Sequence, residues 1–151
     1  MTKWAAEPQV LGKYIISIIK ASEDKHTTHT ILLGVGLKTI EPLKWYSQAH
    51  VSKVFAQLMR AKGDDYIYGI GKALIDQGTL PDNVHSFQSA VSALDLGYTI
   101  AHRNQTGAQF GQKSTSPLRL EIIAANPYPC PFDWGILQQL IARYAPSAKI
   151  A

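Results

Sequence analysis

The tightest constraint in this 151-residue chain is a change of period. From about Val84 to Arg103, Phe87, Ala90, Val91, Leu94, Tyr98 and Ala101 recur three and four positions apart, the spacing of one long amphipathic helix. From Leu118 to Ala125 the pattern turns to alternation, with Leu118, Leu120, Ile122 and Ala124 interleaved with Arg119, Glu121 and Ile123. Paired with Gly107 to Lys113 across a Ser-Thr-Ser-Pro turn, that segment predicts a β-hairpin. Apolar positions at Trp134, Leu137, Leu140, Ile141 and Tyr144 then predict a final helix ended by Pro146. Between hairpin and helix stands NPYPCPFDWG, whose Pro127, Pro129 and Pro131 favour extended backbone before them. The last helix is therefore expected to begin near Asp133, with Asp133 as its N-cap rather than a general base.

Upstream, Val10, Leu11, Tyr14, Ile15, Ile18 and Ile19 predict a helix from Pro8 to Ala21. A polar loop, SEDKHTTH, follows. Ile31 to Val35 reads as a helical turn closed by Gly34 or Gly36 in the left-handed cap. After Glu41-Pro42, Ser47 is the candidate cap of a helix striped by Val51, Val54, Phe55 and Leu58. Asp64 opens another helix, whose Tyr66, Ile67, Ile70 and Leu74 face inward and whose Gly69 and Gly71 mark close packing. The fold class is thus α+β, with N-terminal helices and one long helix packed on a small antiparallel sheet and a final helix after the hairpin.

Composition narrows the function. At 46% hydrophobic and 17% charged residues the chain is globular with an apolar surface, which favours a partner or a dimer. A single domain over residues 1–151 is the expectation from length. The net charge is +4 and the pI near 9.2, but the basic residues are scattered from Lys3 to Lys149, which argues against specific nucleic-acid binding. One cysteine allows neither an internal disulfide nor a four-cysteine metal site, and it points to a reducing cytosol. Glu7 and Pro8 interrupt the place where a signal peptide would be apolar, and the longest apolar stretch, Ile31 to Leu37, is far too short for a membrane span. A cytoplasmic protein is expected.

Three groups of residues bear on chemistry. Cys130 as nucleophile with His102 as base would make a Cys-His enzyme, the helix start lowering the thiol pKa; packing as a small hydrophobe is the alternative. YTIAHR places the Tyr98 phenol, His102 imidazole and Arg103 guanidinium near the end of the long helix, as ligand contacts or as a helix C-terminus. His26 and His29 are read as solvated loop residues, and neither GVGLKT nor YGIGKAL has the residues of a phosphate loop.

The element order resembles the superfamily of heme-dependent nitric-oxide/oxygen sensor domains, vinyl-reductase-type small-molecule-binding domains and TRAPP-type trafficking subunits. The resemblance runs from about Val10 to Tyr144 through GLKTIEPLKWYS, VSKVFAQLM, GDDYIYGIGK, ALDLGYTIAHR and the NPYPCPFDWGILQQLIARY elbow. It implies a sensory or scaffold fold with a cavity between long helix and sheet. Heme members carry a histidine on the long helix and a Tyr-x-Ser-x-Arg signature. Here Tyr98 rather than His102 falls at the ligand position through Asp95, and NPYPCPFDWG stands where the signature would be. Relatives continue into further strands after the last helix, which implies either a sheet completed by another chain or a shortened member; because exposed strand edges seek pairing, a homodimer is expected.

The resulting expectation is a non-enzymatic, cytosolic small-molecule-binding or sensory domain. Tyr98, His102, Arg103, Tyr128, Cys130 and Trp134 would line its apolar cavity, with no catalytic residue, no metal and no required cofactor, heme being an alternative. A structural subunit of a homo-oligomer and a Cys-His enzyme are the other readings.

Overall fold

The long apolar run does not stay helical to Arg103. In the computed structural model, which describes residues 5–105 and 109–151, the helix ends at Ala101, and His102 and Arg103 turn extended to form a strand. The described elements, in chain order, are β1 (Gln9–Leu11), α1 (Gly12–Ala21), α2 (Lys25–Gly34), β2 (Trp45–Ser47), α3 (Gln48–Lys62) and α4 (Asp64–Gln77). They continue with α5 (Phe87–Ala101), β3 (His102–Arg103), β4 (Phe110–Ser116), β5 (Arg119–Ala124) and α6 (Cys130–Tyr144). The α+β class holds, with the strands divided into two antiparallel sheets. One has the order β2-β1-β3, in which Val10 pairs with Tyr46 on one side and His102 on the other. The second is the β4-β5 hairpin, registered from Phe110 opposite Ala124 to Ser116 opposite Arg119. Of the hairpin segment expected from Gly107, Gly107 and Ala108 lie outside the described residues.

Three boundaries differ from expectation for local reasons. Gln9 to Leu11, read as the first turn of a helix, is β1, because Val10 finds strand partners on both sides. The amides of Gly12 and Lys13 then open α1 by donating to the carbonyls of Lys44 and Pro42, so the returning chain caps this helix. SEDKHTTH is a loop only over its first three residues: Asp24 accepts from the Thr27 amide at 3.0 Å and caps α2. The helix buries only Thr28 and Leu32, too little to print a periodic stripe. Finally, α6 starts at Cys130, not Asp133. Pro131 falls in its first turn, where its missing amide costs nothing, and the Phe132 amide closes on the Pro129 carbonyl at 2.9 Å.

Other expectations hold. Val51, Val54, Phe55 and Leu58 of α3 are buried, as are Ile67 and Ile70 of α4. Gly36 ends α2 with φ +90°, in the left-handed region. The Ser47 expectation holds in position only: it is the N-cap residue of α3, but its side chain makes no capping bond and its hydroxyl donates to the Glu7 carboxyl.

The most extensive helix contact is α4 on α6. A Cβ on Gly71 would strike the Phe132 carbonyl and one on Gly135 the Tyr68 carbonyl, so the two backbones touch through a reciprocal pair of glycines. Gly69, by contrast, has open space beside it. One apolar cluster runs from Val10 through Phe55, Ile67 and Val91 to Leu140.

Candidate functional site

The residue at which α5 turns into β3 is the hub of the site. His102 is 4% exposed, and its Nδ1 lies 2.8 Å from the Tyr98 carbonyl while its Nε2 lies 2.8 Å from the Tyr128 hydroxyl. A carbonyl can only accept, so Nδ1 carries a proton. Burial keeps the imidazole neutral at ordinary pH, pulling its pKa down to about 4, and in that form Nε2 accepts from Tyr128.

Aromatic rings enclose the imidazole. Tyr98 stacks on it at 3.6 Å between centroids and 3° between planes, and Tyr14 of α1 meets it edge-on at 5.0 Å. Tyr128 in turn packs edge-on against Phe55 at 5.2 Å and tilts against Phe132 at the same separation. The edge-on contacts suit the ring quadrupoles.

The proline-rich elbow sets Tyr128 in place through one side chain. Asn126 Oδ1 accepts from the Tyr128 amide at 3.0 Å, and Asn126 Nδ2 donates to both oxygens of Asp133 at 3.1 Å. Because α6 begins at Cys130, Asp133 sits within its first turn and points inward, 7% exposed. Desolvation raises its pKa to about 6, against which the Asn126 bond acts. The tyrosines respond as well. Burial pushes the Tyr14, Tyr98 and Tyr128 hydroxyls above their ordinary pKa, and the nearby Asp133 charge adds to the shift of each. The Tyr98 hydroxyl has no hydrogen-bond partner among the described residues.

Beside this cluster lies a cavity of about 540 Å³, walled by α1, the end of α4 with residues 78–81, α5 and the inner face of α6. That volume falls in the range of small-molecule sites. Tyr14, Tyr98, Tyr128, Phe132 and Asp133 form its inner wall, and Lys13 and Lys20 of α1 stand at its edge. The start of the hairpin closes another side at Phe110, held to α5 because Asp95 accepts from the Gln109 and Phe110 amides at 3.0 and 2.9 Å.

Of the six residues expected to line the cavity, Tyr98 and Tyr128 do, and His102 supports both from behind. Arg103 is exposed on β3, where it lies over the Trp45 ring at 4.5 Å and donates to Gln9. Cys130 is exposed and Trp134 is 52% exposed, both outside the lining. His102 has both nitrogens engaged, so it offers no base to Cys130. Sequence reasoning passed over Tyr14, taken as core, and Asp133, taken as a cap. The helix start three residues earlier than expected is what turns Asp133 from a cap into an inward-facing acid.

The described residues contain no group of three or more His, Cys, Asp and Glu that could hold a metal ion; His26 and His29 are exposed on α2. Heme does not fit these residues. His102 has no free nitrogen, and a phenolate ligand from Tyr98 would have to ionise beside the Asp133 charge, against the direction in which its pKa is pushed. No helix among the described residues is long and apolar enough to cross a membrane. Set against known proteins, the sequence matches no family model and no curated protein.

Proposed function

We propose that this chain is a non-enzymatic small-molecule-binding domain of the sensory kind, acting in signalling or regulation in the cytoplasm. The observation that carries the reading is the cavity, together with the cost of what lines it. A buried acid and an unpartnered buried hydroxyl both work against stability, and groups held at such cost in a concave site point to ligand recognition. The resemblance to the sensor and vinyl-reductase-type superfamily agrees with this. A ligand shifts the protein between states only by binding one of them better, and the hinge available is the α5-β3 corner, where His102 ties helix, strand and elbow together. Native mass spectrometry of the purified chain, with a visible absorption spectrum, tests the proposal. A co-purified organic molecule that protects Tyr98 and Tyr128 from modification is the expected result; an empty protein that binds nothing from a metabolite library overturns it.

A second reading, a subunit of a homo-oligomer, is favoured by the hairpin. The β4-β5 sheet has two strands, so both outer edges lack a further strand among the described residues, and Leu118 and Ile123 are 98% and 56% exposed. Sedimentation velocity would show a concentration-dependent dimer that Ile123→Lys disperses; a monomer at all concentrations removes this reading.

A further inference from the structure

The least compensated group in the cavity wall is Asp133. Its carboxylate is buried, and its hydrogen-bond donor is a neutral amide, Asn126 Nδ2. The ion pairs among the described residues join Lys44 to Glu41, Lys62 to Asp24 and Arg143 to Asp76, and none reaches it. A buried charge requires a counter-charge or a proton. Around it stand the phenol rings of Tyr14, Tyr98 and Tyr128, all close enough for its charge to act on them, with Phe132 one residue away. Aromatic rings gathered about a carboxylate are surroundings in which an ammonium group can be held by charge and by ring together. The Tyr98 hydroxyl, which has no partner, supplies an acceptor for an N–H.

We propose that the cavity takes a singly charged protonated amine with an apolar body, its ammonium seated on Asp133 among Tyr14, Tyr98 and Tyr128. This rests on the small-molecule-binding reading of the same cavity and adds the ligand class to it. An anionic ligand would meet the Asp133 charge head-on, and a neutral one would leave that charge uncompensated. The body of the ligand lies against Leu94, Ala101 and Ile136. Lys13 and Lys20 at the edge repel a second positive charge, so a monoamine is preferred to a diamine of equal length.

Calorimetric titration of the full chain near neutral pH with phenethylammonium, 2-phenylethanol and 3-phenylpropanoate tests the proposal. Phenethylammonium is expected to bind at least about tenfold more tightly than the alcohol, and the carboxylate most weakly. Asp133→Asn should cost the amine at least about thirtyfold and the alcohol much less. Should that variant fail to fold, Tyr98→Phe provides the independent check, expected to weaken the amine about tenfold through loss of one charge-assisted hydrogen bond. Equal binding of amine and alcohol, or tighter binding of the carboxylate, overturns the amine class and leaves the small-molecule reading standing. If none of the three binds, the amine class falls; if native mass spectrometry then also finds no ligand, the binding reading falls with it.

Discussion

Helix α6 belongs to two environments built on opposite principles. On one face its backbone presses against α4 so closely that Gly71 and Gly135 leave no room for a methyl group. On another, the same helix carries Asp133 into a wall of phenols around a cavity of about 540 Å³. The first contact is set by shape at the two glycines, and towards the end of the pair Asp76 of α4 bonds Gln139 and Arg143 of α6. The second contains a charge and a hydroxyl that are poorly satisfied. A dense region tolerates no added volume, whereas an under-satisfied one gains from losing polarity. The contrast separates a region built for stability from one whose polar groups work against it.

The sharpest way to break the comparison is at the dense face. Gly135→Val drives a branched side chain into the Tyr68 carbonyl and should cost about 4 kcal/mol or prevent folding, read by urea denaturation. Only a shift of the whole helix would relieve the overlap. A cost under about 1 kcal/mol would mean that the two faces do not differ in kind.

Next in size is Asp133→Asn, which should stabilise the protein by about 2 kcal/mol near pH 8. The sign follows from the raised pKa. A carboxyl with a folded pKa of about 6 against an ordinary 3.8 favours the folded state most when protonated, so its contribution is full below the ordinary value and is lost as pH rises through 6. His102 works the other way, since its pKa is lowered from 6.5 to about 4. Its contribution is full above 6.5 and is lost as pH falls through 4. Between pH 6 and 4 the two oppose each other, and the wild-type stability curve should be nearly flat there. The Asp133→Asn variant should lose stability steadily over that interval, its advantage vanishing by about pH 4, as thermal unfolding across pH would show. A variant less stable than wild type at pH 8 would mean that the carboxylate is already compensated.

The smallest expected effect is that of Tyr98→Phe in the absence of ligand. It removes a hydroxyl with no partner and keeps the ring stacked on His102, so stability should be unchanged or rise by up to about 1 kcal/mol. A loss greater than that would reveal a partner for the hydroxyl.

Legibility in the sequence followed the amount of apolar surface that each element buries. Helix α3 announces itself through Val51, Val54, Phe55 and Leu58, and the hairpin through the alternation of Leu120 and Ile122 with Arg119 and Glu121. Helix α2 buries two residues and rests on the Asp24 cap, a signal that lies in hydrogen-bonding groups and escapes periodicity. Strands β1, β2 and β3 have two or three residues each, too few to establish any period, and exist because they find one another. Tyr98 and Tyr128 could be nominated because they stand in unusual stretches. Tyr14 and Asp133 could not, because what distinguishes them is the set of rings brought around them by chain segments more than a hundred residues apart.

The reciprocal glycines also bear on descent. Each would collide with the carbonyl of the opposite helix rather than with a side chain, so no replacement at one position can make room for a change at the other. Coordinated drift, by which most packed pairs diversify, is closed to this one. Chains descended from a common ancestor with this protein should therefore keep both glycines while the cavity wall facing away from them changes freely, so that the wall can be remodelled without altering how the helices cross.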